Sequence, residues 1–288
     1  MTGQIIDGLA VATHVKKQVK KAVSDLKNQG IQPGLATILV GDEISSEAYI
    51  KNKQKAAKEV GINTWDHKLP STLSQKELMN LVNLLNNDDK IHGILVQLPL
   101  PSGIDEFAII KRINPVKDVD GLTPFSAGLL LNGYAYLKPC TPSGIIEMLD
   151  YYNISLMGMD AIIVNRSNLV GKPLSMLLLE RNATVTICHS KTKALKDKLR
   201  QADIIITAIG NRETFTLTSE MVKPGSVVID VGITRHNGKI IGDVEFEEVR
   251  EKVSWITPVP GGVGPMTVSM LLKNTVIAAS VRREDDIF

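Results

Sequence analysis

The length, composition and charge of the chain set the first limits on what it can be. At 288 residues, of which 43% are hydrophobic and 22% charged, the chain is long enough for about two globular domains of ordinary size. The formal net charge of +2 at pH 7 is too small to indicate binding to nucleic acid or to an anionic membrane surface.

Apolar periodicity predicts alternating helices and strands in the first half of the chain. The predicted elements are, in chain order, helix 9–28, strand 35–41, helix 45–60, helix 74–86 and strand 91–97. Ser74 and Glu77 fit a capping box at the start of the third helix. This alternation predicts an α/β fold built on a parallel sheet that helices cover on both faces.

A second α/β segment follows a stretch rich in Gly, Pro and Asn at 114–142, where we place the first domain boundary. A helix opens at Thr141, and the strands that follow it are predicted near 161–164, 184–187, 203–208 and 226–231. Residues 256–265 predict a rigid loop. The apolar helix after it is expected to pack back on the first lobe, so that ligands would bind in a cleft between two lobes.

Residues 161–190 predict a strand, a polar turn, a helix and a second strand. Such a unit offers a phosphate the unpaired N–H groups and the positive dipole end of a helix N-terminus. An NAD site normally has a carboxylate about 20 residues after the turn, but here the second strand ends at Cys188-His189-Ser190. The missing carboxylate, with Arg166 and Ser190 nearby, favours a 2′-phosphate and therefore NADP.

Tyr49 and Lys53 lie four residues apart in the predicted helix 45–60 and so project from one face. The same face continues through Ala56, Ala57 and Val60 as an apolar stripe. Lys53 could extend past the stripe to water. Alternatively, it is desolvated, with a lowered pKa that suits proton transfer near neutral pH.

Two further segments offer polar groups. Gln97 ends an otherwise apolar strand, at the edge where ligands approach in α/β folds. Asp118 and Asp120 would share a side if their segment is extended, either as turn residues or as a carboxylate that binds a heterocycle. The five histidines and two cysteines show no zinc-like spacing, so no metal site is predicted.

The segment PVPGGVGP at 258–265 combines three prolines with three glycines. Proline stiffens such a loop, and glycine lets its backbone approach a flat ligand closely. A purely structural turn is the alternative. The low cysteine content, the absence of a signal-peptide pattern at the N-terminus and the absence of an apolar run of about 18 residues predict a cytoplasmic protein.

The chain resembles the bifunctional methylenetetrahydrofolate dehydrogenase/cyclohydrolase (FolD) family in segments that occur in family order along nearly its whole length. These are SEAYIKNKQKAA (46–57), GILVQLPLP (93–101), PVKDVDG (115–121), PCTPSG (139–144), RSNLVGKP (166–173), ATVTICHSKT (183–192), KPGSVVIDVGI (223–233) and TPVPGGVGPMT (257–267). The resemblance implies a folate-binding catalytic domain formed by 1–140 and 266–288. It also implies a Rossmann-like NADP-binding domain formed by 141–265.

The resemblance also implies the chemistry: NADP-dependent oxidation of 5,10-methylenetetrahydrofolate, followed by hydrolysis of the methenyl product to 10-formyltetrahydrofolate. By position, Lys53 would transfer the proton in hydrolysis, Gln97 would tune it, Tyr49 would contact the folate and Asp120 would bind the pterin. The implied folate-slot residues are Val96, Leu98, Pro260, Gly261 and Gly262, and the implied cofactor contacts are Asn165, Arg166, Ser167, Ser190 and Ile233. A homodimer and a place in one-carbon metabolism are implied by resemblance alone.

One departure from the family pattern concerns the phosphate turn. Asn165 occupies the position where the family typically has glycine, and asparagine tolerates positive φ better than most residues. Its side chain adds bulk where a cofactor approaches. Three alternatives remain at this point: a dehydrogenase without effective ring opening, a small-acid or shikimate-type NADP dehydrogenase, and a nonenzymatic NADP sensor.

Overall fold

A computed structural model describes residues 2–41, 44–236 and 238–281, with residues 44–51 described by their backbone alone. The strands are β1 (Gln4–Ile5), β2 (Gly34–Val40), β3 (Asn63–Leu69), β4 (Gly93–Val96), β5 (Asp160–Val164), β6 (Thr184–Cys188), β7 (Ile204–Thr207), β8 (Val227–Asp230), β9 (Thr234–His236), β10 (Lys239–Ile241) and β11 (Trp255–Ile256). The helices are α1 (Gly8–Asn28), α2 (Ile44–Val60), α3 (Gln75–Asn86), α4 (Glu106–Ile110), α5 (Pro124–Leu131), α6 (Cys140–Tyr151), α7 (Gly171–Glu180), α8 (Leu195–Leu199), α9 (Phe246–Arg250) and α10 (Val263–Ser280). No helix within these ranges is long and apolar enough to cross a membrane.

The chain divides into two compact units, each with its own parallel sheet. The three-stranded unit contains His14–Cys140 and the residues from Val268 onward. The six-stranded unit contains Thr141–Thr267 and the residues up to Thr13. The three boundaries therefore fall within α1, at the start of α6 and within α10.

The sheet of the three-stranded unit has the order β3-β2-β4, with every pair parallel. β2 is buried along its whole length, which explains its continuous apolar sequence. β3 was not predicted, because NTWDHKL contains no apolar run and no strict apolar–polar alternation: its apolar residues are Trp65 and Leu69, and this edge strand is only partly buried. The predicted capping box at the start of α3 is present, since Ser74 and Glu77 each bond the other's backbone N–H.

The sheet of the six-stranded unit has the order β1-β11-β8-β7-β5-β6, again with every pair parallel. The chain leaves β5 to form β6 on one side and then returns to form β7 on the other. The connections after β5 and β7 therefore diverge, which makes this the topological switch point where α/β sheets bind ligands.

The first residues of the chain lie in the six-stranded unit, whereas the sequence placed them with the first lobe. Gln4 and Ile5 pair in register with Trp255 and Ile256. The phenol of Tyr152 also accepts a hydrogen bond from Asp7 N at 3.0 Å. A two-residue strand carries too little periodicity to be recognised in a sequence.

Two helices lie where the sequence predicted none, one in the segment assigned to a domain boundary and one in the predicted rigid loop. α5 forms inside the segment 114–142 because Thr123 caps it, accepting from Ser126 N, and Pro124 occupies its first turn. α10 begins at Val263, inside the predicted loop 256–265, since Pro265 falls in the first turn, where a missing N–H costs nothing.

Candidate active site and nucleotide site

Lys53 is buried within the three-stranded unit. It lies on α2 with only 4% of its surface exposed, beside the buried Ala56, Ala57 and Val60 of the predicted apolar face. Its Nζ donates a hydrogen bond of 3.0 Å to Oε1 of Gln97, the residue that follows β4. Lys53 therefore points inward, and the alternative in which it extends to water is wrong.

The charges around Lys53 oppose one another. Burial lowers the pKa of Lys53 from its ordinary value, and the negative charge of Asp120 partly counters that effect. Burial also raises the pKa of Asp120, and the positive charge of Lys53 partly offsets the rise. The pKa of Cys140 is raised well above its usual value by burial and by Asp120. A lysine and a carboxyl group thus share a poorly hydrated site in which burial disfavours the charged form of each.

Asp118 and Asp120 have different roles, because their segment turns and does not extend as the shared-side hypothesis required. Asp118 ends a 3-10 turn, Pro115–Lys117, and is 1% exposed. Its carboxylate accepts from Leu122 N at 3.1 Å, Thr123 N at 2.8 Å and Ser126 Oγ at 2.6 Å. Asp118 therefore organises the start of α5, while Asp120 interacts with Lys53.

The turn that carries Asp120 is fixed by Asn274, a residue that the sequence analysis missed. Asn274 is a buried side chain on α10, and its Nδ2 donates to Val119 O and Lys138 O, each at 2.8 Å. The thiol of Cys140 donates to the same Val119 carbonyl at 3.3 Å. The one available signal was a polar amide inside a strongly apolar helix, where a hydrogen-bonding partner is expected.

The remaining predicted folate residues are placed as follows. Tyr49 lies on α2, but its side chain falls outside the described residues. Val96 is buried in the hydrophobic core of the three-stranded unit, and Leu98 packs against that core. In the six-stranded unit Pro260 is exposed, and Gly261 adopts φ +105°.

Close backbone packing requires glycine in the PVPGGVGP loop, a reason that the sequence did not indicate. A Cβ built on Gly262 would lie 2.5 Å from Pro258 O. A Cβ on Gly8 would lie 1.8 Å from Gly262 O. The backbone of this loop therefore packs closely against the start of α1, whatever ligand it also contacts.

Asn165 holds the switch point of the six-stranded sheet together. Its Nδ2 donates to Ala208 O at 2.5 Å, and its Oδ1 accepts from Ser167 N and Gly171 N at 2.7 and 3.1 Å. The expectation of a positive φ at Asn165 is wrong, since the described non-glycine residues with positive φ are Asn153, Asn182 and Ala194. The amide thus links the ends of β5 and β7.

The first amides of α7 are engaged by the loop before the helix. Gly171 N donates to Asn165 Oδ1, Lys172 N donates to Ser167 O at 3.0 Å, and Val170 N donates to Ser167 Oγ at 3.1 Å. The prediction that these N–H groups are unpaired is wrong for all three, because the loop is long enough to fold back on the helix. The helix dipole and the exposed Arg166 remain for an anionic ligand.

The other predicted cofactor residues lie at the carboxyl edge of the same sheet. Val164 and Cys188 are register partners, and Arg166 and Ser190 each follow two residues later with exposed side chains. Ile233 follows β8 and is 56% exposed. Adjacent strand ends therefore present a guanidinium and a hydroxyl from neighbouring loops.

Fold and site together define a nucleotide-binding α/β enzyme of the dehydrogenase class, with a buried lysine–carboxyl site in a separate unit. Residues 6–120 match the family described as tetrahydrofolate dehydrogenase/cyclohydrolase, catalytic domain, and residues 139–283 match the NAD(P)-binding domain of the same family. The chain therefore belongs to the tetrahydrofolate dehydrogenase/cyclohydrolase family. The predicted family, the α/β fold class and the enzyme class are confirmed.

Individual relatives agree with this assignment. The bifunctional protein FolD of Nitrosopumilus maritimus is 58% identical over 281 residues, which cover 98% of both chains. The crystal structure of FolD from Campylobacter jejuni has a TM-score of 0.94 at 48% identity, covering 97% of this chain and 99% of that one. The Trypanosoma brucei FolD structure, complexed with NADP cofactor and inhibitor, has a TM-score of 0.92 at 37% identity, covering 97% and 98%.

Proposed function

We propose that the chain uses NADP to oxidise 5,10-methylenetetrahydrofolate to the 5,10-methenyl form and then hydrolyses that product to 10-formyltetrahydrofolate. The observation that carries the proposal is the buried Lys53, bonded to Gln97 and influenced by Asp120. Family membership supplies the two reactions. A small-acid or shikimate-type dehydrogenase is not supported by these matches.

Lys53 is suited to the hydrolytic step in its neutral form. The methenyl substrate carries a positive charge, so a protonated Lys53 beside it would be repelled. A neutral Lys53 accepts a proton as water attacks the methenyl carbon. The bond from that carbon to N5 then breaks: N5 keeps the bonding pair and takes up a proton, while the new hydroxyl loses its proton and becomes the carbonyl of the formyl group on N10. Gln97 Oε1 accepts from Nζ and orients the lone pair.

The other predicted residues take binding roles in this proposal. Asp120 binds the pterin through its amino and ring N–H groups, and Tyr49 contacts the folate. The folate slot is completed by Val96, Leu98, Pro260, Gly261 and Gly262. This assigns catalysis and the other folate contacts to the domain formed by 1–140 and 266–288. Nucleotide binding falls to 141–265, which also supplies the folate contacts at 260–262.

NADP is the proposed cofactor, and when bound it supplies the hydride acceptor. Arg166 and Ser190 suit a 2′-phosphate, because both are exposed beyond adjacent strand ends and β6 is followed by His189 and Ser190 without a carboxylate. Ser167 and Ile233 complete the contacts. Asn165 acts through its bridge to Ala208, which fixes the loop that carries Arg166.

Cofactor choice is tested by comparing kcat/KM for NADP⁺ and NAD⁺ at saturating 5,10-methylenetetrahydrofolate. The proposal expects NADP⁺ to be preferred. Arg166→Ser should reduce that preference, because it removes the cation proposed to hold the 2′-phosphate. A preference of the wild-type enzyme for NAD⁺ would refute the cofactor assignment, whatever the variant does.

The role of Lys53 is tested by replacing it with methionine, which keeps the length of the side chain and removes the amine. Lys53→Met is expected to slow hydrolysis of methenyltetrahydrofolate about a hundredfold or more, because general base catalysis contributes at least that much. Some dehydrogenase activity should remain, since hydride transfer needs no base. Equal loss of both activities in separate assays would contradict this division.

The exposed Lys55 on the same helix provides the matched control. Lys55→Met should leave both activities near the wild-type values. The same pair of assays decides the alternative of a dehydrogenase without ring opening, because a wild-type enzyme of that kind would not accelerate methenyl hydrolysis. A nonenzymatic NADP sensor would show neither activity.

We further propose that the chain forms a homodimer, which rests on family resemblance, and that it is cytoplasmic, which rests on its low cysteine content. Light scattering with size-exclusion chromatography should give a mass twice that of one chain. A mass equal to one chain at micromolar concentration would contradict the dimer. Fractionation of cells that express the tagged chain tests the location.

A further inference from the structure

Two carboxylates are buried side by side in the six-stranded unit, at the edge of the sheet where the cofactor contacts are predicted. Asp230 ends β8 and is 3% exposed, and Asp243 follows β10 and is 0% exposed. Neither residue belongs to the predicted site. A buried carboxylate is costly unless several donors satisfy it, so the donors show what each group does.

Asp243 is bonded to the loop that follows β7. Its Oδ2 accepts from Ile209 N at 2.7 Å, and its Oδ1 accepts from Gly210 N at 2.9 Å. These two amides lie just after the strand whose end Asn165 bridges through Ala208. Asp243 therefore sets the conformation of one wall of the switch-point crevice.

Asp230 is bonded to the chain on both sides of the β9–β10 hairpin. Its Oδ1 accepts from Gly232 N and Asp243 N, each at 3.0 Å, and its Oδ2 accepts from Val244 N at 3.0 Å. It thus fixes the loop that leads into Ile233 and the segment that carries Asp243. Together the two carboxylates receive five backbone N–H groups from three segments.

Glycines lie so close to the two carboxylates that no side chain would fit at their positions. A Cβ built on Gly232 would lie 2.2 Å from Oδ1 of Asp243, and one on Gly242 would lie 1.9 Å from Oδ2 of Asp230. A Cβ on Gly210 would lie 3.3 Å from Ile233 O. The loop after β7 and the loop at Ile233 therefore touch each other while the same carboxylates hold them.

We propose that Asp230 and Asp243 are positioning residues for the cofactor, holding the loops at Gly210 and Ile233 in the conformation that receives the dinucleotide. The inference rests on the proposed function, because it takes Ile233 as a cofactor contact. The pair acts through backbone amides, which are fixed dipoles with no side-chain rotamers to order on binding. Neither carboxylate touches the folate in this proposal.

The charged groups that face the pair explain how two acidic residues are accommodated together. Burial raises the pKa of both Asp230 and Asp243. Hydrogen bonds from backbone amides partly counter the rise, because they favour the charged form of each carboxyl group. The Arg212 guanidinium favours the charged form of Asp243 and pairs with Glu245 at 2.5 Å. The backbone amides and Arg212 together offset the negative charge.

The test is Asp243→Asn, which keeps the shape of the side chain and replaces one acceptor oxygen by a donor. One of the amides of Ile209 and Gly210 then loses its partner. The KM for NADP⁺ is expected to rise about tenfold, the effect of losing one hydrogen bond to a charged group. The KM for the folate and the rate of methenyl hydrolysis, which needs no hydride acceptor, should stay within about twofold of wild type.

Asp203→Asn is the matched control. Asp203 also accepts from a backbone amide, that of Asp160 at 2.8 Å, and from Lys223 Nζ at 2.5 Å. It precedes β7 and so lies at the opposite edge of the sheet. The control should lower the melting temperature without changing the KM for NADP⁺. Asp230→Asn is the second variant and should raise the KM for NADP⁺ as Asp243→Asn does.

The outcomes separate this inference from the proposed function. A wild-type enzyme that fails to reduce NADP⁺ would refute the proposed function. A wild-type enzyme that reduces NADP⁺, with an unchanged KM in both Asn variants, would refute the positioning role alone. Equal increases in the KM values for NADP⁺ and folate would also refute it, because general loosening of the fold would explain them.

Discussion

Buried carboxylates occur in two regions of this enzyme, and their partners differ in kind. Asp120 is influenced by Lys53, a side chain that can itself gain or lose a proton. Asp230 and Asp243 accept hydrogen bonds from backbone amides, and a backbone amide does not gain or lose a proton. Burial raises the pKa of all three carboxyl groups.

The groups that contact a buried carboxyl group therefore determine what it can do. A carboxyl group coupled to a titratable lysine belongs to a site where protons move, since a change in one group alters the other. A carboxylate surrounded by amides fixes loops, because its donors are parts of the main chain. Asp118, two residues from Asp120, belongs to the second kind, with two amides and one hydroxyl as donors.

The largest expected effect on stability comes from Asp118→Ala. The substitution removes the acceptor of Leu122 N–H and Thr123 N–H and the charged acceptor of Ser126 O–H, so the free energy of unfolding should fall by about 3 kcal/mol. Urea denaturation followed by circular dichroism measures the loss. Asp89→Ala, at an exposed position, should change it by less than about 0.5 kcal/mol. A loss as small as that for Asp118→Ala would show that the hydrogen bonds of Asp118 do not hold the start of α5.

A smaller effect is expected from Asn274→Leu, which removes the donors that hold the Asp120 turn. The carbonyls of Val119 and Lys138 lose a buried partner, so the free energy of unfolding should fall by about 2 kcal/mol. Methenyl hydrolysis should slow, because Asp120 is held less firmly. If stability falls while hydrolysis keeps its wild-type rate, Asn274 supports the fold only.

The smallest of these effects is the contribution of Asp230 to the pH dependence of the free energy of unfolding. Its pKa is raised from 3.8 to about 6, so the folded state favours the protonated form. The resulting stability is fully present below pH 3.8 and is lost as the pH rises through about 6. Between pH 8 and pH 5, wild type should gain about 1.4 kcal/mol that Asp230→Asn does not. An identical pH dependence in both proteins would show that Asp230 titrates at its ordinary value.

The sequence predicted those parts of the fold in which burial imposes a periodic pattern. The predicted helix 45–60 corresponds to Ile44–Val60, and the predicted strand 161–164 corresponds to Asp160–Val164. The apolar neighbours of Lys53 at helical spacing left two directions open for its side chain, and its burial decides for the inward one. Short edge strands such as β1 carry no such pattern, so pairing with distant chain decides their place.

The parts of the site that escaped prediction depend on hydrogen bonds between distant segments. Asn274 bonds to Val119, which is 155 positions away, and Asp243 bonds to Gly210, which is 33 positions away. No local pattern encodes such a pair. Asn165 illustrates the same point: its local sequence suggested a turn at positive φ, while its structural role is a bridge to Ala208.

We propose that Lys53 acts as a neutral base whose proton affinity Asp120 raises. The most direct test is the pH dependence of kcat for methenyl hydrolysis, after subtraction of the uncatalysed rate, in wild type and Asp120→Asn. In wild type, kcat should rise with pH through the lowered pKa of Lys53. Removing the Asp120 charge lowers that pKa further, so the rise should shift to lower pH. If kcat of Asp120→Asn rises at the same or a higher pH than in wild type, Asp120 does not raise the proton affinity of Lys53 and the proposal is contradicted.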